Sequence, residues 1–401
     1  MTGGDSAGAP RVLIAGFPPG GAAGNSVSTA VLLEALSGAF DVDVLSHELA
    51  MSPRWRERAE NGHRRITIGV QPVTPHVEGV LAGLRHEGRL GRWSCAWAVN
   101  SRYAGALAVA NVPFAIWEPT TMTDELSVID PLDVRRSGTG RGVGTLLHRS
   151  ILPLARGLEG WVYRRAKATF AMSEYTRQRM IHLHRLQPNE VSVLTHPPSR
   201  EFSTVLDQEM PLTGTRVPGL KVLFVGRADD PRKGFDLLLT AWRIVRQAIP
   251  QATLSVVGPH SPSWRAALGE IDGLGLTFFG RITTRDLARA YLTHDLLVVP
   301  SKQEGFGIVV AEAFHTGLPV VSTTCGGPEA VIRESGGGVL TPQDAEAFGK
   351  AIVMLLKDDA TRIAMADRGR RYACQVLGFD AFAKRVRDIT CALPSGAVAP
   401  L

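Results

Sequence analysis

Ser301-Lys302-Gln303-Glu304-Gly305-Phe306-Gly307-Ile308-Val309-Val310-Ala311-Glu312 is the stretch around which the chain is organised. It follows Leu296-Leu297-Val298-Val299-Pro300, an apolar run that reads as a buried strand ended by proline. A helical apolar pattern begins at Ile308, so the sequence predicts strand, glycine turn and helix in succession. Gly305 and Gly307 carry no Cβ and let the backbone approach a ligand closely. The amides of Phe306 to Val309 are then the orphan donors of a helix N-terminus, suited to hydroxyl oxygens or phosphate. Glu304 falls in the turn and Glu312 about a turn and a half into the helix. Two carboxylates so placed fit one ligand with two polyol ends, the shape of a nucleotide sugar.

A chain of 401 residues is long for one core and comfortable for two domains. Its 44% apolar and 20% charged content excludes a disordered or fibrous protein. No apolar run approaches the roughly 20 residues of a membrane span. Met1 to Pro10 lacks the basic and apolar regions of a signal peptide, so a cytoplasmic protein is expected. Cys95, Cys325, Cys374 and Cys391 lie far apart with no metal-ligand spacing and read as reduced core thiols. The net charge of +6 is uneven: Asp130 to Arg185 holds eleven Lys/Arg against four Asp/Glu. That segment reads first as a solvated helical face and second as a surface for phosphates or an anionic membrane. Zinc-finger spacing and interleaved aromatics are lacking, which argues against nucleic acid as a partner.

Arg11 to Phe17 is a buried strand, the glycine loop with Gly20 and Gly21 follows, and Asn25 or Ser26 caps the next helix. Asp41 to Leu45 completes a βαβ unit, whose loop lacks the spacing of the dinucleotide fingerprint. Pro72 and Pro75 mark loops, and Tyr103 to Ala110 is helical. Pro113 to Trp117 is a strand that delivers Glu118 to its C-terminal end, where ligands gather in open sheets. Leu146 to Arg165 is amphipathic and reads as core or interface, with a membrane surface as second reading. After His196-Pro197-Pro198 periodicity is lost through about Pro218, which places the domain boundary there. The predicted domains are 1–205, 206–376 and a returning C-terminal segment, 377–401. Alternation restarts at Lys221 to Val225, which ends in the loop Gly226 to Gly234 with Arg227 and Lys233. Two cations at a strand end suit a diphosphate leaving group, whose charge grows as its bond to the sugar breaks.

Taken together, these residues resemble the family 4 retaining glycosyltransferases. The resemblance rests on Gly226-Arg227 with Lys233-Gly234, the two glutamates separated by seven residues around Gly-Phe-Gly, and Gly326-Gly327-Pro328-Glu329. It covers the C-terminal half well and the N-terminal half loosely. It implies the GT-B fold, two Rossmann-like α/β domains facing a cleft, with the last helix crossing back to the first domain. By resemblance Glu304 holds the donor sugar, the backbone of Gly305, Phe306, Gly307 and Ile308 the sugar or diphosphate, and Glu312 the ribose. Arg227 and Lys233 take the diphosphate, the backbone at Arg281 and Ile282 the base, and the Gly20-Gly21 loop closes from the other domain. No metal and no cofactor beyond the donor is implied.

One departure concerns the first domain. The family histidine five residues after the strand-opening proline is Glu118 here, and a carboxylate cannot copy a neutral imidazole. The usual Asn-Gly after the interdomain strand is His196-Pro197-Pro198. Glu304, Arg227, Lys233 and Glu118 are the expected catalytic set. The expected reaction is metal-independent transfer, with retention, from a UDP- or GDP-linked sugar to a small-molecule acceptor of specialised metabolism. The alternatives are a peripheral-membrane enzyme with a lipid or cell-envelope acceptor, an epimerase or C–N coupling relative, and a non-catalytic sugar-nucleotide binder.

Overall fold

Eight strands form the first sheet: β1 (Arg11–Ala15), β2 (Asp41–Leu49), β3 (Trp55–Glu60), β4 (His63–Val70), β5 (Cys95–Val99), β6 (Phe114–Glu118), β7 (Ala168–Ala171) and β8 (Val191–Val193). Their spatial order is β3-β4-β2-β1-β5-β6-β7-β8, parallel throughout except for the antiparallel β3–β4 pair. Six parallel strands form the second, β9 (Lys221–Val225), β10 (Thr253–Val257), β11 (Leu276–Gly280), β12 (Leu296–Val299), β13 (Val320–Thr323) and β14 (Gly338–Thr341), in the order β11-β10-β9-β12-β13-β14. The computed structural model describes residues 10–19, 24–49, 55–60, 62–70, 75–121, 124, 152–213, 219–268, 271 and 273–395. Gly20 and Gly21 lie outside them. Val12 to Ala15 and Leu296 to Val299 are buried on both faces, as continuous apolar runs require in sheets covered by helices.

The helices of the first domain are α1 (Gly24–Leu36), α2 (Pro75–Leu90), α3 (Ser101–Val109), α4 (Leu152–Arg165) and α5 (Glu174–His184). Helix α6 (Arg200–Thr213) connects to the second domain, which carries α7 (Phe235–Ala248), α8 (Pro262–Ala267), α9 (Thr284–Thr293), α10 (Ile308–His315), α11 (Pro328–Ser335), α12 (Ala345–Lys357) and α13 (Asp359–Val376). The last helix, α14 (Phe379–Ala392), lies against α1: Arg387 Nε donates to the Ala35 carbonyl at 2.8 Å, and Trp97 Nε1 to Thr390 Oγ1 at 2.8 Å. One apolar core therefore runs from Val12 and Trp97 through Phe382 to Leu297 and Phe306, across both sheets. Among the described residues no helix is long and apolar enough to cross a membrane.

Three local expectations are corrected, and one antiparallel strand pair is added. Pro75 opens α2 instead of marking a loop, since proline suits the first helical turn. Strands β3 and β4 pair around Gly62, whose φ of +83° allows the turn. The middle of Trp55–Glu60 is exposed and charged, so it carries no apolar signal. The stretch after Pro198 is helix α6, whose inner face combines buried Phe202 and Leu206 with Glu209, held by Arg289 at 2.6 Å. A charged residue on that face hid the period. Finally, Cys95 and Cys325 are buried thiols, but Cys374 and Cys391 are exposed on helices α13 and α14.

Candidate active site at the switch point of the second sheet

The order of the second sheet reverses between β9 and β12, and a crevice opens at the carboxyl ends of strands on either side of such a reversal. The two loops that meet there are 226–234 and 300–307. In the first, Asp230 accepts from the Arg232 amide at 3.0 Å and pairs with its guanidinium at 2.8 Å, fixing the short turn Pro231–Lys233. Those contacts hold the Asp230 carboxyl below its usual range despite burial. Gly234 has φ +63°, and a Cβ there would sit 2.0 Å from the Pro300 carbonyl oxygen. The loops touch backbone to backbone, which only glycine permits.

That contact delivers Lys233 to Glu304. Nζ lies 2.6 Å from Oε2, and Ser301 Oγ donates to the same oxygen at 3.3 Å. Both side chains keep part of their surface open, 26% for Lys233 and 18% for Glu304, so the pair can exchange partners with a ligand. The backbone of Glu304 is held on both sides: its amide donates to Cys325 O at 2.8 Å and its carbonyl accepts from Gly327 at 2.8 Å. Gly307, at φ +84°, then turns the chain into α10 with no side-chain cap. Among the described residues no acceptor takes the amides of Phe306, Gly307, Ile308 or Val309, which leaves them as helix N-terminal donors.

Glu312 follows on α10, half-buried. Burial lifts its carboxyl to about 7, opposed by the Tyr291 hydroxyl that donates to Oε2 at 2.7 Å. Arg227 is half-buried at the head of the Lys233 loop and has no side-chain partner among the described residues. Exposed Arg281 and half-buried Ile282 follow β11. The structure thus brings Lys233, Glu304 and the 305–308 backbone into one contiguous group. Arg227, Glu312, Arg281 and Ile282 belong to the same domain, with Arg281 and Ile282 following the edge strand β11.

Glu118 does not join them. It ends β6, but its carboxylate turns into the first domain, accepting from the Ser101 amide at 2.8 Å and the Tyr163 hydroxyl at 2.9 Å. Tyr163 also lies 3.1 Å from Glu159 Oε1, and His184 Nε2 3.1 Å from Glu159 Oε2. Glu118 is 1% exposed and Glu159 0%. Desolvation first, and the neighbouring Glu159 second, push the Glu118 carboxyl well above its usual value. With no exposed surface and two buried donors committed to it, this residue is not placed to contact a ligand. Its position at a strand end was readable from sequence, whereas the inward turn depends on Ser101 and Tyr163, far away in the chain.

The first domain reaches the site through other residues. His196 is fully buried, its ring stacked on Trp117 at 4.9 Å and on Phe306 at 6.2 Å, and burial lowers it to about 4. Thr120 Oγ1 accepts from Gln303 Nε2 at 2.8 Å, and Ser173 Oγ donates to the Gly305 carbonyl at 2.6 Å. Nothing in the sequence marks Ser173 beyond its helix-cap position.

Two facing α/β domains built on parallel sheets, the first with one antiparallel edge pair, define the GT-B architecture. Sucrose-phosphate synthase from Thermosynechococcus elongatus shares the fold at TM-score 0.73, covering 97% of this chain and 100% of that one at 19% identity. Residues 219–358 match the family model described as glycosyl transferases group 1. The D-inositol 3-phosphate glycosyltransferase of Salinispora arenicola is 34% identical over 171 residues, 39% of this chain and 38% of that protein. The phosphatidyl-myo-inositol mannosyltransferase of Mycobacterium leprae is 34% identical over 166 residues, 40% of this chain and 44% of that protein. The chain therefore spans less than half the length of these two curated relatives.

Proposed function

We propose that this protein is a retaining glycosyltransferase that moves a sugar from a UDP- or GDP-linked donor to a polyhydroxylated small molecule. The observation that carries the proposal is the Lys233–Glu304 pair at 2.6 Å, set at a switch point beside four unpaired helix N-terminal amides. In this reading Glu304 grips hydroxyls of the donor sugar, and Lys233, Arg227 and the 306–308 amides receive the diphosphate. As the anomeric C–O bond breaks, its electron pair goes to the diphosphate. Cations and fixed dipoles aimed at that growing charge act more strongly in the transition state than in the ground state. Glu312 takes the ribose hydroxyls, and the backbone near Arg281 and Ile282 the base. No metal is required, because two cations and a helix N-terminus supply the charge, so transfer persists in excess chelator.

The relatives named for inositol phosphate and phosphatidyl-inositol suggest a cyclitol, free or phosphorylated, as acceptor class. A specialised-metabolism acceptor and a cytoplasmic location fit the same reading. The test is a thermal-shift panel of nucleotide diphosphates and their sugars, followed by transfer assays with Glu304→Ala and Lys233→Ala. Well-folded variants that keep the full transfer rate would sink the proposal.

A second reading has one specific observation behind it. Helices α2 and α4 leave Leu84 62% and Leu154 56% exposed, with Arg85 and Arg156 also on them. Exposed leucines on arginine-bearing helices suit an anionic lipid surface and a membrane-bound acceptor. Co-flotation with vesicles containing anionic lipid, absent with zwitterionic ones, would favour it over a soluble acceptor.

A further inference from the structure

We infer that Ser173 and Thr176 are positioning residues for the Glu304 loop, holding the Gly305–Phe306 peptide from the opposite domain. This rests on the glycosyl-transfer reading for its catalytic consequence, but not for its structural claim. Ser173 Oγ donates to the Gly305 carbonyl at 2.6 Å, and Thr176 Oγ1 lies 3.2 Å from the same oxygen. The one Thr176 hydroxyl proton is shared between that oxygen and the nearer Pro119 carbonyl at 2.9 Å, so Ser173 is the main donor to Gly305 and Thr176 links α5 to the end of β6 beside it. The approach is as close as backbone allows: a Cβ on Gly305 would lie 2.0 Å from Pro119 O. On the other side of Glu304, the buried Gln303 amide donates to Thr120 at 2.8 Å. Residues 303 and 305, which flank the proposed sugar-binding carboxylate, are thus both fastened to the first domain.

The consequence follows from peptide geometry. A trans peptide holds N–H antiparallel to C=O. Hydroxyls that fix the Gly305 carbonyl therefore also fix the direction of the Phe306 amide, the first of the four unpaired donors. Without them the peptide can rotate, and a donor that must meet developing charge loses its aim. Such an interaction matters chiefly in the transition state, so the loss should fall on kcat more than on KM.

Ser173 has a second role, since its Oγ accepts from the Thr176 amide as the cap of α5. Ser173→Asp separates the two, because a carboxylate still caps but cannot donate to a carbonyl. Thr176→Val removes the other hydroxyl at constant shape, and Ser173→Thr keeps both functions. Two measurements are needed. Amide hydrogen exchange at Glu304 and Gly327, whose amides are bonded across the turn, requires no substrate and should quicken at least about tenfold in Ser173→Asp and in the Ser173→Asp/Thr176→Val pair, with wild-type behaviour in Ser173→Thr. In transfer assays the same variants should lose about tenfold or more in kcat with donor KM within about threefold, and Ser173→Thr should restore it. Unchanged exchange, or exchange that quickens while kcat stays within twofold of wild type, overturns the inference. A wild-type chain that transfers no sugar from any donor overturns the function instead, and the exchange result still decides whether the peptide is held.

Discussion

Glu312 is the one carboxylate on helix α10, between Ala311 and Ala313, both fully buried. Its ordinary value of 4.5 rises to about 7 because burial penalises the charged form. The folded protein therefore keeps a proton that the unfolded chain has lost between those values. Its contribution to stability is full below pH 4.5 and falls as pH rises through about 7. The slope from one group is at most about 1.4 kcal/mol per pH unit. Urea unfolding from pH 5 to 8 should show that decline, flattened in Glu312→Gln. In the proposed function donor hydroxyls favour the ionised form, so nucleotide affinity should rise through pH 7 in wild type and stay level in the variant. Glu118 calls for the opposite experiment. Its carboxyl is also pushed up, mainly by desolvation and then by Glu159, but it faces Ser101 and Tyr163 and not the crevice. Glu118→Gln should leave transfer within about twofold while Glu118→Ala destabilises by about 2–4 kcal/mol, by stranding buried donors. A hundredfold loss in a well-folded Glu118→Gln protein would return it to the catalytic set.

Loops at strand ends carry the candidate site, and glycines decide how closely they pack. A Cβ on Gly327 would lie 2.0 Å from Gly305 O and 2.5 Å from Phe306 N, both backbone atoms that cannot swing aside. Gly327→Ala should therefore displace the 304–307 turn, costing about 1–3 kcal/mol and weakening nucleotide-diphosphate binding at least about tenfold by calorimetry. An alanine variant binding as wild type would show that the turn has slack. The same stretch explains why this half was legible from sequence. Leu296 to Val299, Val320 to Thr323 and Lys221 to Val225 are short apolar runs that end in glycine or proline loops, and each became a strand. Trp55 to Glu60 escaped notice because its side chains are largely exposed and charged, leaving only its pairing with β4 to define it. Helix α6 escaped for a different reason: Glu209 lies on its inner face, paired with Arg289 from a distant helix. Motif spacing likewise placed Glu304 and Lys233 together, whereas the hydroxyls of Ser173 and Thr176 meet Gly305 across more than a hundred residues and left no local pattern.

At the level of the whole molecule, the returning helix α14 joins the two domains through one apolar core near the candidate site. Its Phe382 packs on Trp117 at 5.0 Å, Trp117 stacks on His196 at 4.9 Å, and His196 stacks on Phe306 at 6.2 Å. The series runs from the C-terminal helix through the first sheet and the interdomain segment to the Glu304 turn. Phe348 offers the control: it is equally large, 0% exposed, and belongs to the separate core beneath β9, β10 and β12. Truncating either ring to alanine should cost about 3–5 kcal/mol of stability. Only Phe382→Ala should also lower kcat/KM when both variants are assayed well below their melting temperatures, because only that cavity opens on the ring series behind Phe306. Should the two variants lose stability alike and keep equal activity, the site depends on the second domain alone. The returning helix would then be a tether between domains and not part of what shapes the crevice.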